Sequence, residues 1–177
     1  MDAGCRDEAA SRAIPLDLCG AASIPLRHDE GWPQKAQNAH DARIMNEAQI
    51  KQLCATVRQV SLAAHRFLRH GHNEKIYENS LAHRLRKQGI QVKQQHPISV
   101  FDEDGTPLGD FFADLLLEGE LIVELKAVRQ LADEHTAQVL GYLRASRLEH
   151  GMLVNFGAPV IQFRKFIFND PIEEGSS

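Results

Sequence analysis

Three ionisable residues set in a greasy stretch carry the first chemical signal. Asp114, Glu124 and Lys126 lie in ADLLLEGELIVELKA, residues 113–127, among Leu, Ile and Val. Charged side chains are rarely enclosed by apolar ones unless a partner or a metal compensates them. Alternate side chains of a strand share a face, so Glu124 and Lys126 point the same way. If Glu118-Gly119-Glu120 forms a three-residue hairpin loop, Leu117 faces Leu121 and Asp114 falls opposite Glu124, with Cβ atoms about 4.5–5.5 Å apart. Two carboxylates that close repel, and one pKa rises. A divalent cation removes the conflict. Hard oxygen ligands on a short strand pair suit Mg2+ or Mn2+, with waters completing the shell. Lys126, one strand step further on, is then placed to orient a water or stabilise charge on a phosphoryl group. The same residues admit a purely structural reading, in which Lys126 neutralises one carboxylate and Asp114 stands at a wet strand edge.

The hairpin needs elements to hold it. Asn46 followed three residues later by Gln49 is a helix-start signature, with Met45 and Ile50 in the flanking apolar positions. Ile50, Leu53, Val57, Val60, Ala64 and Phe67 then recur at three- and four-residue steps, which predicts one long helix with a single apolar face. Gly71 breaks it. Residues 74–88 read as a second helix, with Tyr77, Leu81 and Leu85 on one side and Gly89 as its stop. Three strands follow: IQVKQQHPISVF with Pro97 at an edge or bulge, residues 108–117, and residues 121–127. A helix over 133–147 precedes strands near GMLVNF and IQFRKFIF. The order is α-α-β-β-β-α-β-β, an α/β arrangement. Residues 1–44 show no sustained period and read as a disordered leader or as a start assigned too early, with Met45 the biological first residue. The domain is expected over 45–170, and residues 171–177 as a frayed tail.

Composition narrows the class. The chain has 177 residues, 43% hydrophobic and 25% charged, ordinary values for one soluble domain. No run of apolar residues is long enough for a membrane span, and the N-terminus lacks a signal-peptide core. Cys5, Cys19 and Cys54 are odd in number and have no C-x-x-C spacing, which fits a reducing cytoplasm. Net charge is −4, mildly against a nucleic-acid binder. The average hides an asymmetry, because residues 51–93 hold nine Lys and Arg but two acids, Glu74 and Glu78. Such a run is a solvated helical face or a phosphate-facing surface, and Arg84, Arg86 and Lys87 are its candidate contacts.

Asp…Glu-x-Lys on adjacent strands resembles the PD-(D/E)XK nuclease superfamily. More closely, the chain is similar to small bacterial proteins of the GxxExxY family within it. The eponymous motif stands as Gly71-His72-Asn73-Glu74-Lys75-Ile76-Tyr77; ADLLLEGELIVELKAV, HTAQVLGYL, GMLVNFG and FRKFIF match the later motifs in order, over about residues 45–168. The resemblance implies a restriction-endonuclease-like core, a mixed β-sheet flanked by helices. It implies Asp114 and Glu124 as metal-binding carboxylates, Lys126 as the catalytic lysine, and Glu74 as a helix acid added to the metal shell. Gln138 and Tyr142 form the Gln-x-x-x-Tyr of a helix beside the site and the nucleic acid. Tyr77 is instead read as a packing residue. The superfamily's proline before the first Asp is Ala113 here, and His72 and Asn73 replace two apolar residues of the family motif.

The expected function is a Mg2+- or Mn2+-dependent phosphodiester hydrolase acting on nucleic acid, DNA before RNA. Its rival is a nuclease-like fold that binds nucleic acid or a protein partner without cutting.

Overall fold

The computed structural model describes residues 45–168. The expectations for residues 1–44 and 171–177 lie outside the described residues. The elements run α1 (Glu47–Leu68), α2 (Glu74–Arg86), β1 (Val92–Phe101), β2 (Pro107–Leu117), β3 (Leu121–Lys126), α3 (Asp133–Ser146), β4 (His150–Asn155) and β5 (Gln162–Ile167). Order and type match the sequence reading. The second helix stops two residues earlier, and Gly89 with φ +81° turns the chain out of it.

Local chemistry explains the helix ends. Asn46 Oδ1 accepts the Gln49 N–H at 3.0 Å, and Gln49 Oε1 accepts the Asn46 N–H at 2.9 Å, so two otherwise orphaned donors are satisfied reciprocally. Between α1 and α2 the backbone turns through positive φ at Arg69 and Gly71. The Tyr77 hydroxyl closes this junction: it donates to the Arg69 carbonyl at 2.7 Å and accepts the His72 N–H at 3.2 Å. Its buried ring stacks on Phe156 with centroids 4.6 Å apart. Tyr77 is thus a packing residue, as read.

Among the described residues five strands form one sheet in the order β1-β2-β3-β4-β5. β3 and β4 are parallel, joined through α3, and every other pair is antiparallel. The strand period sorts β3 between two cores. Leu121, Val123 and Leu125 pack with Ile50, Leu53, Val57, Tyr77 and Leu81 under α1 and α2. Ile122 packs on the other face with Val139, Tyr142 and Leu143 of α3. Glu124 and Lys126 share the parity of Ile122 and so belong to the α3 face. Phe67 departs from the sequence reading. It continues the helical period of α1 but is 76% exposed, while its neighbour Leu68 in the same last turn packs against the core instead. The Arg84 guanidinium covers its ring at 5.7 Å. No helix among the described residues is long and apolar enough to cross a membrane.

Candidate active site

The site forms where β2 leaves β3. Their ladder runs Leu117↔Leu121, Leu116↔Ile122, Leu115↔Val123, the register expected from a three-residue loop, and then stops. Positive φ at Glu118 and Gly119 makes that loop. β2 continues outward paired with β1 alone, and its outer half is exposed. β3 continues beside β4 as far as Lys126↔Asn155. The next step of the broken ladder sets Asp114 against Glu124. There the Asp114 carboxylate takes over from the backbone, its Oδ2 accepting the Leu125 N–H at 2.8 Å.

Glu124 is 3% exposed. Its Oε1 accepts from Lys126 Nζ at 3.0 Å, while its buried Oε2 has no hydrogen-bond partner among the described residues. A buried carboxylate oxygen without a donor is costly, and a bound ion or water is the usual explanation. Burial pushes the Glu124 pKa up to about 7, with Asp114 adding to the rise and Lys126 opposing it. Asp114 is also raised, by burial in the main and by Glu78 in part, against the Leu125 N–H, the Gln95 amide and Lys126. Burial alone would lower Lys126, but Glu124, Glu74 and Asp114 outweigh it and hold the ammonium above its ordinary value. The lysine therefore stays charged at neutral pH.

Other expected site residues differ in how near they come. Glu74 opens α2 and reaches the end of β3, where its Oε1 accepts the Ala127 N–H at 3.3 Å. Gln138 Nε2 donates to the Tyr142 hydroxyl at 2.7 Å across one turn of α3. Burial, then Glu124, raises the Tyr142 pKa, so this hydroxyl lies in the field of the carboxylates. The Tyr142 ring is buried and meets Phe111 at 5.3 Å. Arg84, Arg86 and the C-cap Lys87 stand at the opposite end of α2, about 15–20 Å from Glu74 by helical rise. Arg86 is already engaged, giving hydrogen bonds to Gln94 Oε1 at 2.8 Å and to the Val92 carbonyl at 2.9 Å.

The turn leaving β3 is pinned tightly. The Phe156 N–H donates to the Lys126 carbonyl at 2.7 Å, and Asn155 Oδ1 accepts the Val128 and Gly157 N–H groups at 3.1 and 3.0 Å. A Cβ on Gly157 would collide with the Ala127 carbonyl carbon and the Val128 backbone, so the two backbone segments are in close contact there.

Two residues near the site escaped the sequence reading. Glu78 is 2% exposed and accepts from Lys75, Gln94 and Gln95. Gln95 Nε2 also donates to Asp114 Oδ1 at 3.1 Å. The spacing Glu74-x-x-x-Glu78, which puts two acids on one helical face, was the available signal.

Two hard carboxylates, one with an unpartnered oxygen, are a fitting donor set for Mg2+ or Mn2+, which keep several waters. Among the described residues no three His, Cys, Asp or Glu side chains converge into a fuller cation site, so Glu74 stands beside the pair and not within a shared cluster.

A family model described as the PD-(D/E)XK nuclease superfamily matches residues 51–166. The solved structure titled "Crystal structure of SSO0001" is similar at 14% identity and a TM-score of 0.45, with 76% of this chain and 74% of that one covered. No curated protein matches the chain.

Proposed function

The chain belongs to the PD-(D/E)XK nuclease superfamily, and from that premise we propose that it hydrolyses phosphodiester bonds of nucleic acid, DNA in the first place, with Mg2+ or Mn2+ bound by Asp114 and Glu124. The mixed sheet flanked by helices is the nuclease-like fold of that superfamily. The observation that carries the proposal is the Glu124 carboxylate: enclosed, opposed by Asp114, and with one oxygen unpartnered. Asp114 and Glu124 would hold the divalent cation, which would supply a Lewis acid for a phosphoryl oxygen and for a water. The chain's own groups do the rest. Lys126 keeps its proton and offers it as a hydrogen bond to the non-bridging oxygens as charge builds there. Glu74, at the end of β3, adds its negative charge to the pair that holds Lys126 protonated and would accept from water beside a bound cation. Gln138 has its amide nitrogen committed to Tyr142 and acts by holding that hydroxyl beside the carboxylates. Arg84 and Lys87 contact the phosphate backbone away from the cleavage point, and Tyr142 contributes its hydroxyl edge. Gly71, Glu74 and Tyr77 support placement in the GxxExxY branch.

The test is cleavage of duplex, single-stranded and branched DNA and of RNA, with Mg2+, Mn2+ or EDTA. Cleavage that needs the cation and vanishes in Glu124→Gln is expected. Lys126→Ala should still bind Mn2+ by calorimetry but lose about a hundredfold or more in rate. Nucleic-acid binding without metal-dependent cleavage of any substrate would replace this reading with a non-cutting module of the same fold.

A further inference from the structure

Gln95 breaks the rules of the strand that contains it. It lies inside β1 yet has φ +49°, a left-handed conformation that a glutamine seldom adopts. Paired positions run Gln94↔Leu115 and then His96↔Ala113, so Gln95 and the residue facing it, Asp114, are skipped. In a regular strand Gln94 and Gln95 would point to opposite faces. Here both reach one carboxylate: Gln94 Nε2 donates to Glu78 Oε1 at 2.8 Å and Gln95 Nε2 to Glu78 Oε2 at 2.9 Å. The same Gln95 nitrogen donates to Asp114 Oδ1 at 3.1 Å. An amide nitrogen carries two hydrogens, and here each goes to a different carboxylate. Glu78 is held in turn by Lys75 Nζ at 2.7 Å and is buried on α2.

We propose that Gln95 is the positioning residue of Asp114: its left-handed turn aims one amide at both Glu78 and Asp114, and so fixes the Asp114 carboxylate from α2. The metal role of Asp114 in this proposal rests on the function proposed above; the fixing of the side chain does not. With Oδ1 held by Gln95 and Oδ2 by the Leu125 N–H, the carboxylate plane has a set orientation, and each oxygen keeps a lone pair for a cation. A strained backbone retained beside two carboxylates is what a site under functional constraint keeps. Groups that orient a ligand from outside typically govern tenfold or more of metal affinity.

Two variants of the full chain separate orientation from strain. Gln95→Gly accepts the positive φ without strain and removes the amide. Gln95→Glu keeps the length and replaces the donor with an acceptor. Two readouts are taken: Mn2+ affinity by calorimetry, and hydrogen exchange of the Leu125 amide, whose protection depends on where Asp114 sits. Both variants should bind Mn2+ at least about tenfold more weakly and exchange the Leu125 amide faster than the wild type, while the Gly variant melts no lower. In an Asp114→Asn background the Gln95 change should add no further loss of Mn2+ affinity. If Leu125 protection is unchanged in both variants, Gln95 does not position Asp114 and the proposal is overturned. If wild type binds no Mn2+ but Leu125 loses protection in both variants, the positioning stands and the metal reading falls.

Discussion

Glu124 and Asp114 face each other with unequal surroundings, and the inequality is measurable. Asp114 is hydrogen-bonded through both oxygens; Glu124 is deeper and half unsatisfied. Its pKa of about 7 exceeds the ordinary 4.5, so between those values the folded chain holds a proton that the unfolded chain releases. That contribution to stability is fully present below about pH 4.5 and is lost as pH rises through 7. In EDTA the protein should therefore lose up to about 3 kcal/mol across this window, read from denaturant melts. Glu124→Gln should flatten the slope, and Mn2+ should reverse it, because the cation binds the deprotonated form. A wild-type slope that Glu124→Gln leaves intact would put the titration elsewhere. The Asp114, Glu124 and Lys126 geometry was legible in the sequence because a three-residue loop and a two-residue period fix which side chains face each other. Gln95 was not, since nothing in the letters QQ announces a left-handed backbone, and Glu78 looked like any acid on a charged helix.

At the scale of elements, the site depends on strands that part at a defined step. The end of β3 is set by the turn that follows it, and that turn leans on Gly157. Gly157→Ala would place a methyl group inside the Ala127–Val128 backbone. We expect a loss of about 3 kcal/mol, the upper end for overpacking. We also expect weaker metal binding, since the shifted segment includes the Ala127 N–H that Glu74 accepts. An unchanged melting temperature would mean that the turn relaxes freely. The basic end of α2 divides in the same way. Arg86→Glu breaks two hydrogen bonds that tie α2 to β1 and should cost about 1 kcal/mol. Lys87→Glu, on an exposed residue, should leave stability alone and lower the salt dependence of nucleic-acid binding by about one phosphate contact. Equal effects of the two on melting would contradict this division. Helix periods located α1 and α2 well, but Phe67 shows their limit: a period says which side a residue faces, not whether anything lies there to cover it.

Across the whole molecule, the order of elements was readable because caps, glycines and strand runs punctuate the chain in sequence. The parting of β2 from β3 was not, because it depends on β1, which pairs with the outer half of β2 and draws it away. The net charge of −4 also means that any hold on nucleic acid comes from local arrangement and not from global attraction. β1 has a further consequence. Among the described residues it is an outermost strand, ten residues long, and its partner exposes Leu108, Phe111 and Phe112 on the projecting arm. Such an edge invites a neighbouring chain to add a strand and begin an aggregate. The left-handed turn at Gln95 and the missing N–H of Pro97 interrupt that edge within three residues. The double variant Gln95→Thr, Pro97→Thr should straighten it, and light scattering should then detect self-association at concentrations where the wild type stays dispersed. A dispersed double variant would mean that the arm is protected by other means. On that expectation, the kink that aims a carboxylate would also keep the protein from templating its own precipitation.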